Sequence, residues 1–332
     1  MVQAVKTNAP LRIGVVGVGT MGSNHARVLA GLSGIQLVGV ADPDRAQRDL
    51  VTRVLGCPAV SDLEGLLPLG VDAITIAAPT HLHHDIALTC IARGIHVLVE
   101  KPIASSVEEG RSIIDAAKKA GVTLVVGHVE RFNPAVIAIK EAIRGEDILS
   151  IAITRVGPFP PRMSNVGVVI DLAVHDIDLI RWFTDSDIVE VQPQLSSAVA
   201  EREDIALLQF RTANGVLAHI NTNWLTPFKA RSVTVATRGK YVMGDLLTRQ
   251  VTECFGFKPD GSYSMRHLPV GHDEPLRAEL IAFLKAVRNG ETPAVTGDEG
   301  VASLEIATQC LETPSRPVAK SSALKGPRRV AG

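Results

Sequence analysis

The feature that most constrains the fold is the run LRIGVVGVGTMGSNHARVLAGL at residues 11–32. Apart from Arg12 near its start, it opens with apolar residues on both faces, as a strand covered on both sides by helices requires. Gly17, Gly19 and Gly22 follow at once in G-x-G-x-x-G spacing, and a helix-compatible segment follows them. A chain that turns from a buried strand into a helix this sharply depends on glycine at those places. Gly17 allows the tight turn, Gly19 lets the backbone come close to a pyrophosphate, and Gly22 lets helix and strand pack closely. The free N–H groups of the helix start, those of Thr20 and Met21 included, are the donors such a phosphate would use.

Four more Val- and Ile-rich runs follow: IQLVGVAD (35–42), VDAITIAAP (71–79), IHVLVE (95–100) and VTLVVGH (122–128). Helix-compatible stretches lie between several of them. In SVEEGRSIIDAAKKAG, Ser106 is expected to cap, acids occupy the first turn, and Lys118, Lys119 and Gly121 close the helix. This alternation predicts a doubly wound parallel α/β sheet, a Rossmann domain, over residues 1–128. The second strand ends in Asp42, twenty residues beyond Gly22, where a carboxylate accepts from a ribose 2′-hydroxyl and repels a 2′-phosphate. NAD is therefore expected over NADP, with Arg45 close enough to soften the preference. Beyond residue 128 the pattern changes to strands with tight turns, such as IALLQFRTANGVLAHINTNW with its Ala-Asn-Gly hairpin signal. An α+β domain with an open-faced antiparallel sheet is expected over 129–312, with a tail over 313–332.

Composition narrows the function classes. A net charge of −1 among 332 residues offers no basic bias toward nucleic acid. Four scattered cysteines form no metal or disulfide signature. No segment approaches the roughly 18 apolar residues of a membrane span, so a cytoplasmic, soluble protein is the expectation.

Two places carry chemistry. VLVEKP puts Glu100 and Lys101 at the carboxyl end of an apolar strand, where an ammonium is uncommon without a partner or a task. It could pair with Glu100 or Asp171, or stabilise an incipient alkoxide. GVVIDLAVHDIDLI (167–180) carries Asp171, His175 and Asp178 at helical spacing in an otherwise apolar run. That stripe is either a solvated edge or an acid–histidine pair lining a pocket, with Asp178 the structural member. AAPTHLHHD places His81, His83 and His84 together without the partners of a metal set, so no metal is expected; Thr80 and His83 are candidate contacts for a nicotinamide ribose.

GVGTMGSNH, AAPTHLHHDIAL, GIHVLVEKP, GHVERFNPAV and DLAVHDIDL, in that order, make the chain resemble the glucose-fructose oxidoreductase/inositol dehydrogenase (Gfo/Idh/MocA) family over residues 11–310. The resemblance implies a Rossmann domain followed by an open-faced sheet domain, with Lys101, Asp171 and His175 at the catalytic positions. Ala173 stands where the family often has glycine. Within the family, GHVERFNPAV and NWLTPFKARSVTVATRGKYVMGDL most resemble the nucleotide-sugar 3-dehydrogenases acting on UDP-N-acetylglucosamine. These make a 3-keto sugar for a pyridoxal-phosphate aminotransferase, on the way to lipid A or surface polysaccharide. On that reading Arg131, Arg155, Lys229 and Arg231 are candidates for a diphosphate, and Trp224 or Phe159 for a uracil ring. Arg162 and Asn165 fall in a Pro-rich loop suited to a lid. A polyol dehydrogenase of the inositol type, a UDP-N-acetylglucosaminuronate 3-dehydrogenase and a non-catalytic NAD-binding regulator are the alternatives. The family also implies a homodimer or homotetramer, a neighbouring subunit covering the open sheet.

Overall fold

The computed structural model describes residues 9–160 and 166–313. Arg162, Asn165 and all of the expected tail beyond Thr313 lie outside the described residues. The first sheet contains β1 (Leu11–Val16), β2 (Ile35–Ala41), β3 (Ala59–Val60), β4 (Ala73–Ile76), β5 (His96–Glu100) and β6 (Leu124–Gly127). All are parallel, in the order β3-β2-β1-β4-β5-β6. The helices α1 (Thr20–Ala30), α2 (Arg45–Leu55), α3 (Leu63–Leu66), α4 (His83–Ile91) and α5 (Val107–Ala120) connect them. The caps are those the residues suggest: Ser106 accepts from the Glu109 amide, and Gly121 ends α5 in the left-handed region. Ile13, Val15, Ile74, Ile76, Val97, Leu98 and Val99 have no exposed surface, each worth about 1.5–3 kcal/mol of burial. Strand order reverses between β1 and β4, which opens a crevice at their carboxyl ends.

The second unit begins with α6 (Pro134–Ala142) and β7 (Ile148–Pro158). A wide π turn, Val169–Ala173, then leads into α7 (Val174–Thr184). The strands β8 (Ile188–Ser196), β9 (Ile205–Thr212), β10 (Leu217–Asn223), β11 (Leu225–Thr237), β12 (Lys240–Asp245), β13 (Gln250–Phe255) and β14 (Ser264–Leu268) complete an eight-stranded sheet. Its order is β14-β13-β12-β11-β7-β10-β9-β8, antiparallel except where β7 and β10 run parallel. One face packs on α6 and α7; the other leaves Leu207, Leu217 and Tyr241 exposed. The last two helices, α8 (Pro275–Asn289) and α9 (Gly297–Glu312), return toward the first sheet. Leu276, Leu280, Phe283, Leu284 and Val287 of α8 share a core with Ile13 and Val15 of β1. Val301 and Leu304 of α9 pack beside Val97 and Val99 of β5, whereas Ala307 and Cys310 join the core of the second sheet.

Buried ion pairs fix α7 against its surroundings. Arg131 grips Asp178 through two hydrogen bonds of 2.7 Å and also reaches Glu299 of α9. Arg155 of β7 holds Asp176 and, at 2.8 Å, Glu130. Burial alone would push the Asp178 carboxyl up, and His128 with Arg131 more than reverses it. Breaking such a pair leaves an uncompensated buried charge. Arg131→Met is therefore expected to cost about 3–5 kcal/mol of stability, and Arg131→Met with Asp178→Leu to recover most of the loss. Denaturant unfolding of the two variants checks both.

Candidate active site

The glycine loop has the geometry that a dinucleotide needs. Gly17 adopts φ +82°, and a Cβ on it would meet the backbone of Ala77 and Ala78 at 2.6–2.7 Å. A Cβ on Gly22 would lie 1.7 Å from the Gly17 carbonyl oxygen, so these two glycines serve packing. Nothing lies within 4 Å of a Cβ position on Gly19, which leaves its backbone open to approach. No side chain caps α1, so the N–H groups at its start, those of Thr20 and Met21, are without a side-chain acceptor among the described residues. Asp42 stands at the end of β2 with its carboxylate accepting from the Val18 amide at 2.7 Å and the Asp44 amide at 2.8 Å. That fastens a carboxylate beside the loop. Arg45 is exposed and turns toward Asp49, one turn along α2.

Lys101 follows β5 and extends across to the second unit. Its Nζ donates to the Asp171 carbonyl oxygen at 2.7 Å and lies 3.3 Å from Asp171 Oδ1. Both side chains keep some exposure, 17% and 25%, so the pair lines an accessible space and is not sealed in a core. Of the two partners open to Lys101 in the sequence, the ammonium takes Asp171. The Lys101–Pro102 peptide is cis. Asp171 lies in the π turn, which breaks the regular helical phase ahead of His175. The expected common face of Asp171, His175 and Asp178 accordingly divides: Asp178 goes inward to Arg131, while Asp171 meets Lys101.

His175 is half-buried at the start of α7, and its Nδ1 is shielded from solvent without a hydrogen-bond partner among the described residues. Burial, then the positive charges of Lys101 and Arg155, hold this imidazole well below its ordinary value of 6.5. It is neutral at physiological pH and available to take a proton. His128, fully buried behind it, presents its ring edge-on at 6.2 Å between centroids. Sequence reasoning passed over His128, because a lone histidine after a strand carries no spacing signal.

Several expected contacts are redirected. Arg131 is 5% exposed and fully engaged with Asp178 and Glu299, so it is a structural ion-pair partner and not a substrate contact. Arg155 is committed to Asp176 and Glu130 in the same way. Trp224 is 3% exposed and packs edge-on against Phe159 at 5.6 Å, leaving it no open ring face. The His83 ring is buried between the carbonyl oxygens of Pro102 (3.0 Å) and Ala78 (2.8 Å), where it ties two loops together and is not free for a ribose. Glu100 turns inside to His25 and accepts from the Lys101 amide, so it supports the site from behind. Thr80 stays half-buried in a short turn at the rim. Arg231, half-buried and bonded to Glu130 at 3.0 Å, keeps its side chain partly open within the field of Asp171.

Comparison with known proteins places both units of the chain in one family. Residues 11–128 match the oxidoreductase family with an NAD-binding Rossmann fold, and residues 149–242 match the GFO/IDH/MocA C-terminal domain. The chain is 32% identical over 285 residues to UDP-N-acetylglucosamine 3-dehydrogenase of Acidithiobacillus ferrooxidans, covering 83% of this chain and 88% of the relative. It is also 32% identical over 321 residues to inositol 2-dehydrogenase of Rubrobacter xylanophilus, covering 91% and 90%. A solved structure of the Acidithiobacillus enzyme superimposes with a TM-score of 0.85 at 29% identity, covering 90% of this chain and 96% of that one. With a glycine loop built for a dinucleotide and both of its units matched, the chain belongs to the GFO/IDH/MocA family of NAD-binding oxidoreductases.

Proposed function

We propose that the protein oxidises the C3 hydroxyl of UDP-N-acetylglucosamine to a ketone, with NAD as acceptor. The observation that carries a dehydrogenase reading is the meeting of Lys101 with Asp171, 3.3 Å between Nζ and Oδ1, four residues ahead of His175. NAD, when bound, supplies the hydride acceptor; Gly17, Gly19, Thr20, Met21, Gly22 and Asp42 are the residues that would hold it. His175, kept neutral by burial and nearby cations, takes the hydroxyl proton. The Lys101 ammonium stabilises the developing oxyanion. Asp171 orients that ammonium through its carbonyl and carboxylate oxygens. The sugar nucleotide is supported by the Acidithiobacillus relative, and the resulting ketone is a substrate for amination by a pyridoxal-phosphate enzyme. A second copy of the chain covers the sheet face that bears Leu207 and Leu217.

One observation favours a second reading. Of the four cations the sequence offers for a diphosphate, Arg131 and Arg155 are withdrawn into the interior, as is Trp224, which leaves half-buried Arg231 and exposed Lys229. A polyol, which needs no such contacts, suits that site, and the inositol dehydrogenase relative agrees with it.

Three results test these readings. Reduction of NAD with UDP-N-acetylglucosamine but not with free inositol is expected; the reverse preference would replace the sugar nucleotide by a polyol. Lys101→Ala and His175→Ala are each expected to lower kcat about a hundredfold or more while NAD still binds. The pH profile carries a sign: protonation disables the base, and its pKa is lowered, so kcat/KM should hold steady down through pH 6.5 and fall only below it. An acid limb at or above 6.5 would remove His175 as the base.

A further inference from the structure

Three buried groups behind the reacting centre meet where α1, β5 and α8 converge. His25 of α1 has no exposed surface, and its Nε2 lies 2.9 Å from Glu100 Oε1. The other Glu100 oxygen accepts the Lys101 backbone N–H at 3.2 Å. Gly127 of β6 makes the room, since a Cβ there would stand 3.1 Å from this carboxylate. Glu279 lies on the buried face of α8 with 0% exposure, and neither of its oxygens has a hydrogen-bond partner among the described residues. One ligating atom from each of the three residues lies within 4.8 Å of the others.

Counting protons limits how this cluster can exist. A neutral His25 that donates from Nε2 to Glu100 leaves Nδ1 as an acceptor, and Nδ1 is likewise buried without a partner among the described residues. An ionised Glu279 would place a second negative charge beside Glu100 in apolar surroundings. A carboxylate so placed keeps its proton instead. The protonated acid is then a hydrogen-bond donor beside the His25–Glu100 pair. A gap too long for a direct hydrogen bond, yet within 4.8 Å, is one that a single water spans.

The charged neighbours agree. Glu100 from β5 is the group whose field reaches Glu279, and His25 faces it from α1. In the turn Val129–Phe132 that packs on α8, Glu130 is tied to Arg155 and Arg131 to Asp178. Burial first, and Glu100 second, push the Glu279 carboxyl well above its ordinary range.

We propose that Glu279 is a positioning residue for Lys101: as the neutral acid it completes, through one bridging water, the hydrogen bonds of the His25–Glu100 pair, and so fixes the carboxylate that holds the Lys101 amide. Because α1 also carries the glycine loop at its start, the same cluster ties that helix to the strand presenting the lysine.

Glu279→Gln and Glu279→Leu test this in the full chain. Native Glu279 keeps a proton that the unfolded chain releases near the usual carboxylate value. Wild-type stability therefore falls as pH rises between those two values. The Gln variant has no such proton, so its folding constant relative to wild type should rise by up to about tenfold per pH unit above pH 5. A flat ratio from pH 5 to pH 8 would overturn the neutral acid. So would one equivalent of a divalent metal in the purified protein, because the cluster would then be a cation site. Hydrogen exchange reads the positioning role: amides of residues 97–104 should exchange roughly tenfold faster in the Leu variant, with β12 and β13 unchanged, and Gln should restore protection. Equal protection in both variants would overturn it. If Glu279→Leu does not fold, the Gln variant still decides through its pH slope. None of these readouts uses turnover, so a wild-type protein that oxidises no sugar would refute the function proposed above and leave this inference standing.

Discussion

Buried charge beneath α7 governs where the rest of that helix can point. Asp176 and Asp178 lie in the interior only because Arg155 and Arg131 meet them with paired hydrogen bonds, and Glu130 and Glu299 share the same guanidinium groups. Each of these groups would be costly alone. Together they anchor α7 to β7, to α9 and to the turn after β6. With its acids drawn inward, the helix is left to present His175 and the preceding π turn toward the end of β5.

That orientation brings the two halves of the chain into one site. Lys101 comes from a parallel sheet and Asp171 from a turn seventy residues later. Their contact uses a backbone carbonyl as well as a carboxylate, so the lysine is held by the shape of the turn and not by charge alone. The electrostatics follow from the same packing. Burial first, then the charges of Lys101 and Arg155, keep His175 neutral, and a neutral imidazole near an ammonium is the division of roles that removal of a hydroxyl proton requires. The cluster of His25, Glu100 and Glu279 extends this support backward, from the lysine amide into the helix that opens at the glycine loop.

Some misreadings in the sequence share a cause. Arg131, Arg155, Trp224 and His83 were candidates for ligand contacts because their side chains can recognise phosphates, rings or hydroxyls. Each of those side chains is equally able to serve the interior, and local sequence does not separate the two uses. Arg131 is paired with a residue forty-seven positions away, and His83 bonds a carbonyl nineteen positions away. Glu279 was missed for the opposite reason. In an amphipathic helix an acid reads as part of the wet face, and only its depth against α1 and β5 reveals it as a buried one.

The sequence by itself determined the parallel sheet, the glycine loop with Asp42 at the end of the next strand, the helix caps and the hairpin. These depend on periodicity, on positive φ and on residues close together in the chain. It also singled out Lys101, Asp171 and His175, because polar residues in apolar runs stand out. Only the tertiary structure decided which partner Lys101 takes, which arginines are consumed by ion pairs, and that α8 returns to cover the first sheet. Those outcomes depend on desolvation and on contacts between distant segments, and neither quantity exists until the chain has closed on itself.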